Sequence, residues 1–427
     1  MNIPDFLNES IEPKFPMKEA NKPIKLFEGN LLIRQSSVEV RGSGKVELSW
    51  LPLPRIRFEL QSDETERPKL KLKPSELEGL SDPTFVSGAI IKMVHHGETI
   101  DYTGNLKGKH ANGSVKIDLV KFHVPNFYSY NGEMTRFKTE TKEGMDTSRI
   151  YLNDGDLRVI LDTVSNEDDL KKDLDAQNGF ALTHVGTFQK TGKASFTIDE
   201  AIDFLNALYY FFSFIRGAWC GPTLSIGTLK DTVIWEPWDL NQTTSWINVD
   251  SNQNWFDRRN PMEIDGAFQS FMNKWRDSAT NEKMQMLIQW YVEANQHAGG
   301  TEGSIILAHS ALDLLSSILS IRADKAHQRI RELFIECGID IRLPRILNNL
   351  FAIYHGDDIP KTLSRLRNEL VHPSNGFDQI SIAQVSSEAR EEALKLGLWS
   401  IERSLLHFFD HNGHYYNRIK NNYEEIP

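Results

Sequence analysis

The hydrophobic rhythm of the chain changes partway along it. From Lys25 onward, apolar and polar residues alternate in short runs at 30–35, 37–41, 44–50 and 55–60, broken by Gly, Ser and Pro. Similar runs recur near 85–93, 100–105, 114–123 and 149–163, with Asn112-Gly113 and 153–156 as hairpin turns. Several short period-two segments at this spacing predict a sandwich or a barrel. Between 164 and 234 the pattern is mixed. A short polar helix follows Asn166, strands are expected at 181–189 and 193–196, and a long apolar helix runs to about Arg216. Thr197 with Glu200 three residues on is a capping-box match for the start of that helix. Residues 224–234 read as a strand with a glycine turn at Gly227.

Beyond Ile264 the period is helical to the end, with helices expected at about 264–278, 280–297, 302–321, 325–337, 343–354, 360–372 and 383–411. The fold class is therefore α+β: an N-terminal β-rich, sandwich-like region over 25–234, followed by a C-terminal all-α bundle over 264–427. Residues 1–24 carry Pro4, Pro13, Pro16 and Pro23 and read as an irregular arm. Residues 235–263 hold Trp235, Trp238, Trp246 and Trp255 among polar residues. They read as a linker packed on the interface between the two parts, with an aromatic base-stacking or glycan surface as the sharper alternative.

Composition narrows the function classes. A chain of 427 residues exceeds one compact core and implies two or three domains. No run approaches the roughly 18 apolar residues of a membrane span, and the N-terminus lacks the basic and apolar pieces of a signal sequence. A cytoplasmic location is expected. Cys220 and Cys337 stand far apart in apolar surroundings, as free buried thiols do. No Cys/His cluster has zinc spacing, and His95, His96, Glu98 and Asp101 sit in a strand-turn that sends alternate residues to opposite faces. Phosphate-loop, dinucleotide and nucleophile-elbow motifs are absent, so no metal and no cofactor are expected. The net charge is −11, and from Asp265 to the end 17 Lys and Arg face 21 Asp and Glu, a balance of −4. This excludes a protein that coats nucleic acid through a broad phosphate footprint. It leaves room for a narrow basic cleft, because local fields can oppose net charge.

The chemistry-bearing stretch is Arg365-Leu-Arg367-Asn368-Glu-Leu-Val-His372-Pro373. Leu363, Leu366 and Leu370 form a buried stripe at helical spacing. Asn368 and His372 are one turn apart, with Arg367 beside them, and the proline places His372 in the last turn or the cap. A histidine beside a guanidinium and an amide suits acid/base work on a phosphodiester. Arg-x4-His recurs by chance at about this frequency, and Arg322–His327 is a second match that reads as a turn between helices.

Arg367-Asn368-x3-His372-Pro373, late in a helical segment, resembles the R-[polar]-x3-H motif of HEPN domains. The upstream run Thr301-Glu-Gly-Ser-Ile-Ile-Leu-Ala-His-Ser-Ala-Leu-Asp-Leu-Leu315 is similar to the first core helix of the ApeA-type HEPN group, with Asp313 where Glu is usual. The resemblance covers roughly the last third of the chain. It implies a metal-independent endoribonuclease, often a homodimer with paired Arg/His sets, active in antiviral or toxin systems. Arg367, Asn368 and His372 would be its catalytic set, and the β-rich region a sensor for a phage-derived trigger. From their place on the upstream helix, Glu302 and Asp313 either orient that set or are a helix N-terminal charge and a solvated edge. The rival reading is a non-catalytic binding or scaffold protein in which Arg367 and His372 cap a helix or hold a dimer.

Overall fold

The computed structural model describes residues 8–62, 74–79, 86–96, 99–109, 112–138, 143–246, 254–372 and 382–426; at 74, 86–96, 99–101 and 107–109 it describes the backbone alone. The fold class is α+β. The first six strands are β1 (Ile24–Gln35), β2 (Val38–Ser49), β3 (Arg55–Ser62), β4 (Pro74–Gly79), β5 (Val86–His96) and β6 (Thr99–Lys109). They close into an antiparallel barrel in the order β1-β2-β3-β6-β5-β4. Ile33 closes the ring: it lies opposite Val40 on one side and Leu77 on the other, and all three are fully buried.

The next strands are β7 (Lys116–Ile117), β8 (Leu119–Pro125), β9 (Glu133–Lys138), β10 (Glu143–Asp154) and β11 (Leu157–Thr163). After helix α1 (Glu167–Gln177) come β12 (Leu182–Lys190) and β13 (Phe196–Thr197), helix α2 (Ile198–Arg216), then β14 (Thr223–Leu229) and β15 (Thr232–Trp235). β7 and β13 pair as a two-stranded sheet, and the other seven form a separate sheet, β15-β14-β8-β12-β11-β10-β9. The sandwich-like arrangement expected over 25–234 is thus a closed barrel beside an open sheet. Barrel closure rests on pairings between distant strands, which local alternation does not encode. Residues 230 and 231, both at positive φ, make the β14–β15 turn, whereas Gly227 marks a register shift inside β14. The N-terminal arm crosses the sheet, where the buried Arg149–Asp162 pair holds it: Arg149 donates to the Glu9 carbonyl, and the Ile11 N–H donates to Asp162.

Helix α2 begins with the expected capping box of Thr197 and Glu200. Its first turns keep Asp199, Asp203 and Asn206 exposed along one face, whereas 207–216 is apolar nearly all round and is covered on all sides. Phe212 packs on Phe122 and Phe127 of the sheet side, and Phe211 on Phe268 and Phe271 of the helices. Those helices are α3 (Ile264–Trp275), α4 (Ser278–Asn295), α5 (Gly300–Ile318), α6 (Ala326–Glu336), α7 (Asn348–Tyr354), α8 (Ile359–Val371) and α9 (Ser387–Phe408). At Gly397 of α9 an added Cβ would lie 3.1 Å from the Ala308 Cβ, so glycine permits the close crossing of α5 and α9. The region expected to be all-α ends instead in a β-hairpin, β16 (His414–Asn417) and β17 (Asn422–Glu425). Its period is two, with Tyr415 and Asn417 buried and their neighbours partly exposed. Trp235, Trp238, Trp246 and Trp255 are all buried, so none of them offers a stacking face to a nucleic acid.

Phe211→Ala and Phe212→Ala should each lower unfolding stability by about 3–5 kcal/mol. Both should shift one coincident transition in tryptophan fluorescence and far-ultraviolet circular dichroism, because sheet and helices share the α2 core. Two separated transitions would show that they fold independently.

Candidate functional site

Asp358 caps α8, its Oδ1 accepting from the Lys361 backbone N–H at 2.9 Å, and Pro360 sits in the first turn. Leu363 and Leu366 are buried. That orientation leaves Ser364, Arg367 and Asn368 on the wall of an open cleft of about 960 Å³. Facing them are His309 and Asp313 from α5, and Lys325 and His327 from the start of α6.

Among the described residues Arg367 is the half-buried guanidinium of the cleft without a carboxylate; the exposed Lys325 has none either. Its Nη1 donates to the neighbouring Asn368 Oδ1 at 3.1 Å, while its Nε is buried and has no hydrogen-bond partner among the described residues. Three of the other charges are committed. Lys361 and Arg365 both pair with Asp357, at 2.7 and 2.6 Å. Asp313 takes two hydrogen bonds from Arg329, at 2.8 and 2.9 Å. His309 is buried, with its Nε2 2.9 Å from the Ser364 hydroxyl. Burial first, and the nearby Arg367 second, push its pKa down to about 4, so the ring is neutral at pH 7. Desolvation, then Arg331 and Lys325, also lower the His327 pKa.

The structure brings Arg367, Asn368 and Asp313 together and leaves His372 and Glu302 apart from them. His372 is the exposed C-cap of α8 and is not among the described residues lining the cleft; its backbone N–H donates to the Asn368 carbonyl at 2.7 Å. Pro373 lies outside the described residues. Glu302 bonds Arg390 of α9 at 2.6 Å and does not orient the Arg/His set. Asp313 is taken by Arg329. Two cleft residues were missed as site candidates. His309 stands four residues before Asp313 on one face of α5, the signal that pointed to it. His327 lies in the first turn of α6, inside the helix expected at 325–337 rather than in the turn read at 322–327. Among the described residues no three His, Cys, Asp or Glu are grouped to hold a metal ion. Glu98 and the side chains of His95, His96 and Asp101 lie outside the description.

The cleft falls within one of two regions that resemble known sequences. Residues 277–426 match the family model of the YopA C-terminal domain. Residues 112–249 match that of the YopA central domain. The chain is also 24% identical over 439 residues to the SPbeta prophage-derived uncharacterized protein YopA of Bacillus subtilis strain 168, covering 97% of this chain and 95% of that relative. No solved structure matches. The barrel precedes both matched regions, and every cleft residue named above lies in the YopA C-terminal match.

Burial lowers the pKa of His123 to about 4 and of His184 to about 3, as it does that of His309. Each folded pKa lies below the unfolded value of about 6.5, so below that pH the unfolded chain binds more protons. The stability from keeping these rings neutral is complete above about pH 6.5 and is lost as pH falls toward about 4. His309→Gln should remove about 3 kcal/mol of that loss. Urea midpoints measured from pH 7 to pH 4 for both proteins check this; parallel curves would contradict it.

Proposed function

We propose that the helical half is a metal-independent, HEPN-type endoribonuclease that cleaves RNA through attack of the 2′-OH. The observation that carries this reading is the half-buried Arg367 guanidinium, with no carboxylate partner among the described residues, in an open cleft of a chain whose net charge is −11. A planar fork of that kind suits the phosphoryl oxygens of a phosphodiester. Asn368 orients the phosphate, and His372 exchanges a proton with the 2′-OH or with the leaving 5′-oxygen. One histidine does not readily serve as both acid and base in a single turnover. A homodimer that brings a second Arg/His set to the same scissile bond supplies the pair, and its products end in a 2′,3′-cyclic phosphate. In this reading the β-rich region senses a phage-derived trigger, and cleavage in the cytoplasm arrests the infected cell. The prophage-derived name of the Bacillus subtilis relative fits such a place in phage competition.

Two observations favour a rival reading. His372 stands off the cleft, and Asp313 and Glu302 are held in ion pairs. A non-catalytic scaffold that binds an anion at Arg367 accounts for both. Mutation separates the readings. Arg367→Ala and His372→Ala should each lower RNA cleavage by about 100-fold or more. Total RNA from infected and uninfected hosts expressing each protein is the readout, with unchanged melting temperatures as the control. Undiminished cleavage by His372→Ala overturns the assignment. Loss of about 1 kcal/mol of stability with function retained supports the capping role.

A further inference from the structure

A second cavity, of about 900 Å³, lies on the other side of the α7–α8 corner, between the segment 338–346, α9 and the C-terminal hairpin. That volume falls in the range of small-molecule sites. Its unusual occupant is Arg403 of α9. This side chain is 5% exposed and lines the cavity, and its Nη1 is buried with no hydrogen-bond partner among the described residues. Among the described residues no carboxylate pairs with it. Its guanidinium carbon lies 4.9 Å from the centre of the Tyr415 ring. That contact engages the flat face of the group and leaves its in-plane N–H donors to other partners.

The carboxylates around the cavity are already used. Asp340 pairs with Arg342, Asp357 with Lys361 and Arg365, Asp358 with Arg331, and Glu424 with Lys420. Glu425 remains, exposed at the outer edge of β17. Arg345, exposed with its guanidinium carbon 5.9 Å from the centre of the Phe351 ring, is a second lining guanidinium with no carboxylate among the described residues. Trp399, Phe351 and Tyr415 give the walls aromatic surface. A buried guanidinium with no counter-charge is costly to fold around, and a ligand anion removes that cost.

We propose that this cavity binds a phosphate monoester carrying a planar ring, of the nucleotide class. The phosphate meets Arg403 with Arg345, and the ring lies against the aromatic wall. Two uncompensated guanidinium groups match a dianion better than a single carboxylate. A 5′-phosphorylated RNA end offers the same chemistry as a free nucleotide. The site is independent of the cleft at Arg367 and of the reaction proposed there.

The test is titration calorimetry of the full-length protein with adenosine monophosphate, adenosine and a 5′-phosphorylated pentaribonucleotide, using wild type and Arg403→Met. One of the two phosphorylated probes should bind at one site per chain. Adenosine should bind at least about tenfold more weakly, and Arg403→Met should lose at least about tenfold in affinity. The tighter of the two phosphorylated probes identifies the source. With no ligand, Arg403→Met should melt a few degrees higher, because it replaces an unpaired charge with an apolar chain of similar length. Arg403→Lys, which keeps the charge and loses the fork, should bind weakly and melt close to wild type. Absence of binding by both phosphorylated probes at millimolar concentration overturns the proposal. So does undiminished binding by Arg403→Met, or a lower melting temperature of that variant, which would mark Arg403 as a structural group.

Discussion

From Ala207 to its C-cap, helix α2 has almost no polar surface to give to water, and the rest of the molecule is arranged to cover that half. Thirteen of its nineteen residues are buried. The sheet takes one side through Phe122, Phe127 and Phe188, and the helical half takes the other through Phe268, Phe271, Tyr291 and Phe409. The tryptophan stretch closes the seam, with the Trp255 indole N–H donating to the Phe214 carbonyl at 3.1 Å. Aromatic pairs of this kind add to plain area burial. Removing either half would strand an apolar helix, so sheet and bundle are partners in one core.

The end of α2 carries that constraint to the C-terminus. Gly217 is its left-handed cap, and its carbonyl accepts from Asn295 of α4 at 2.8 Å. Asn295 in turn accepts from Arg418 at 3.0 Å, and Arg418 pairs with the buried Glu402 of α9, which also accepts from Tyr291 at 2.7 Å. Every charged member of this chain has its partner, as burial requires. Arg403, the next residue on α9, has none among the described residues. The contrast between neighbours makes Arg403 informative. The fold supplies a counter-charge for one buried guanidinium and leaves the other facing a cavity.

Local signals in the sequence match local features of the fold. Helical periodicity located α3 to α9 to within a few residues, and the Thr197/Glu200 pair marked the start of α2. Arg367 and Asn368 were recognisable as neighbours facing one side. Features set by distant partners were not legible. The pairing of β1 with β4 and of β3 with β6 joins strands that the chain separates widely. Strands as short as those of the terminal hairpin give too few alternations to compete with the helical pattern before them. Glu302, His309 and Asp313 share a face of α5, but their partners decide what each can do. Arg390 and Arg329, from other helices, take the two carboxylates, and Ser364 takes the histidine.

That division of partners shapes the reaction proposed for the cleft. His309 is pinned to Ser364, buried, and repelled as a cation by Arg367, so it holds no proton to give at neutral pH. Its contribution there is to fix α5 against α8 and hold the Arg367 wall in place. Proton transfer then falls to a histidine open to water: His327 on the cleft wall, or His372, the histidine of the motif, at the exposed end of α8 four residues from Asn368. A ring on the outer rim of a cleft acts on a bound phosphodiester only if the substrate bridges outward or a second copy closes over it. The exposed position of His372, which favours the scaffold reading for a lone chain, is also the geometry a paired active site requires. The oligomeric state is therefore the physical hinge between the two readings.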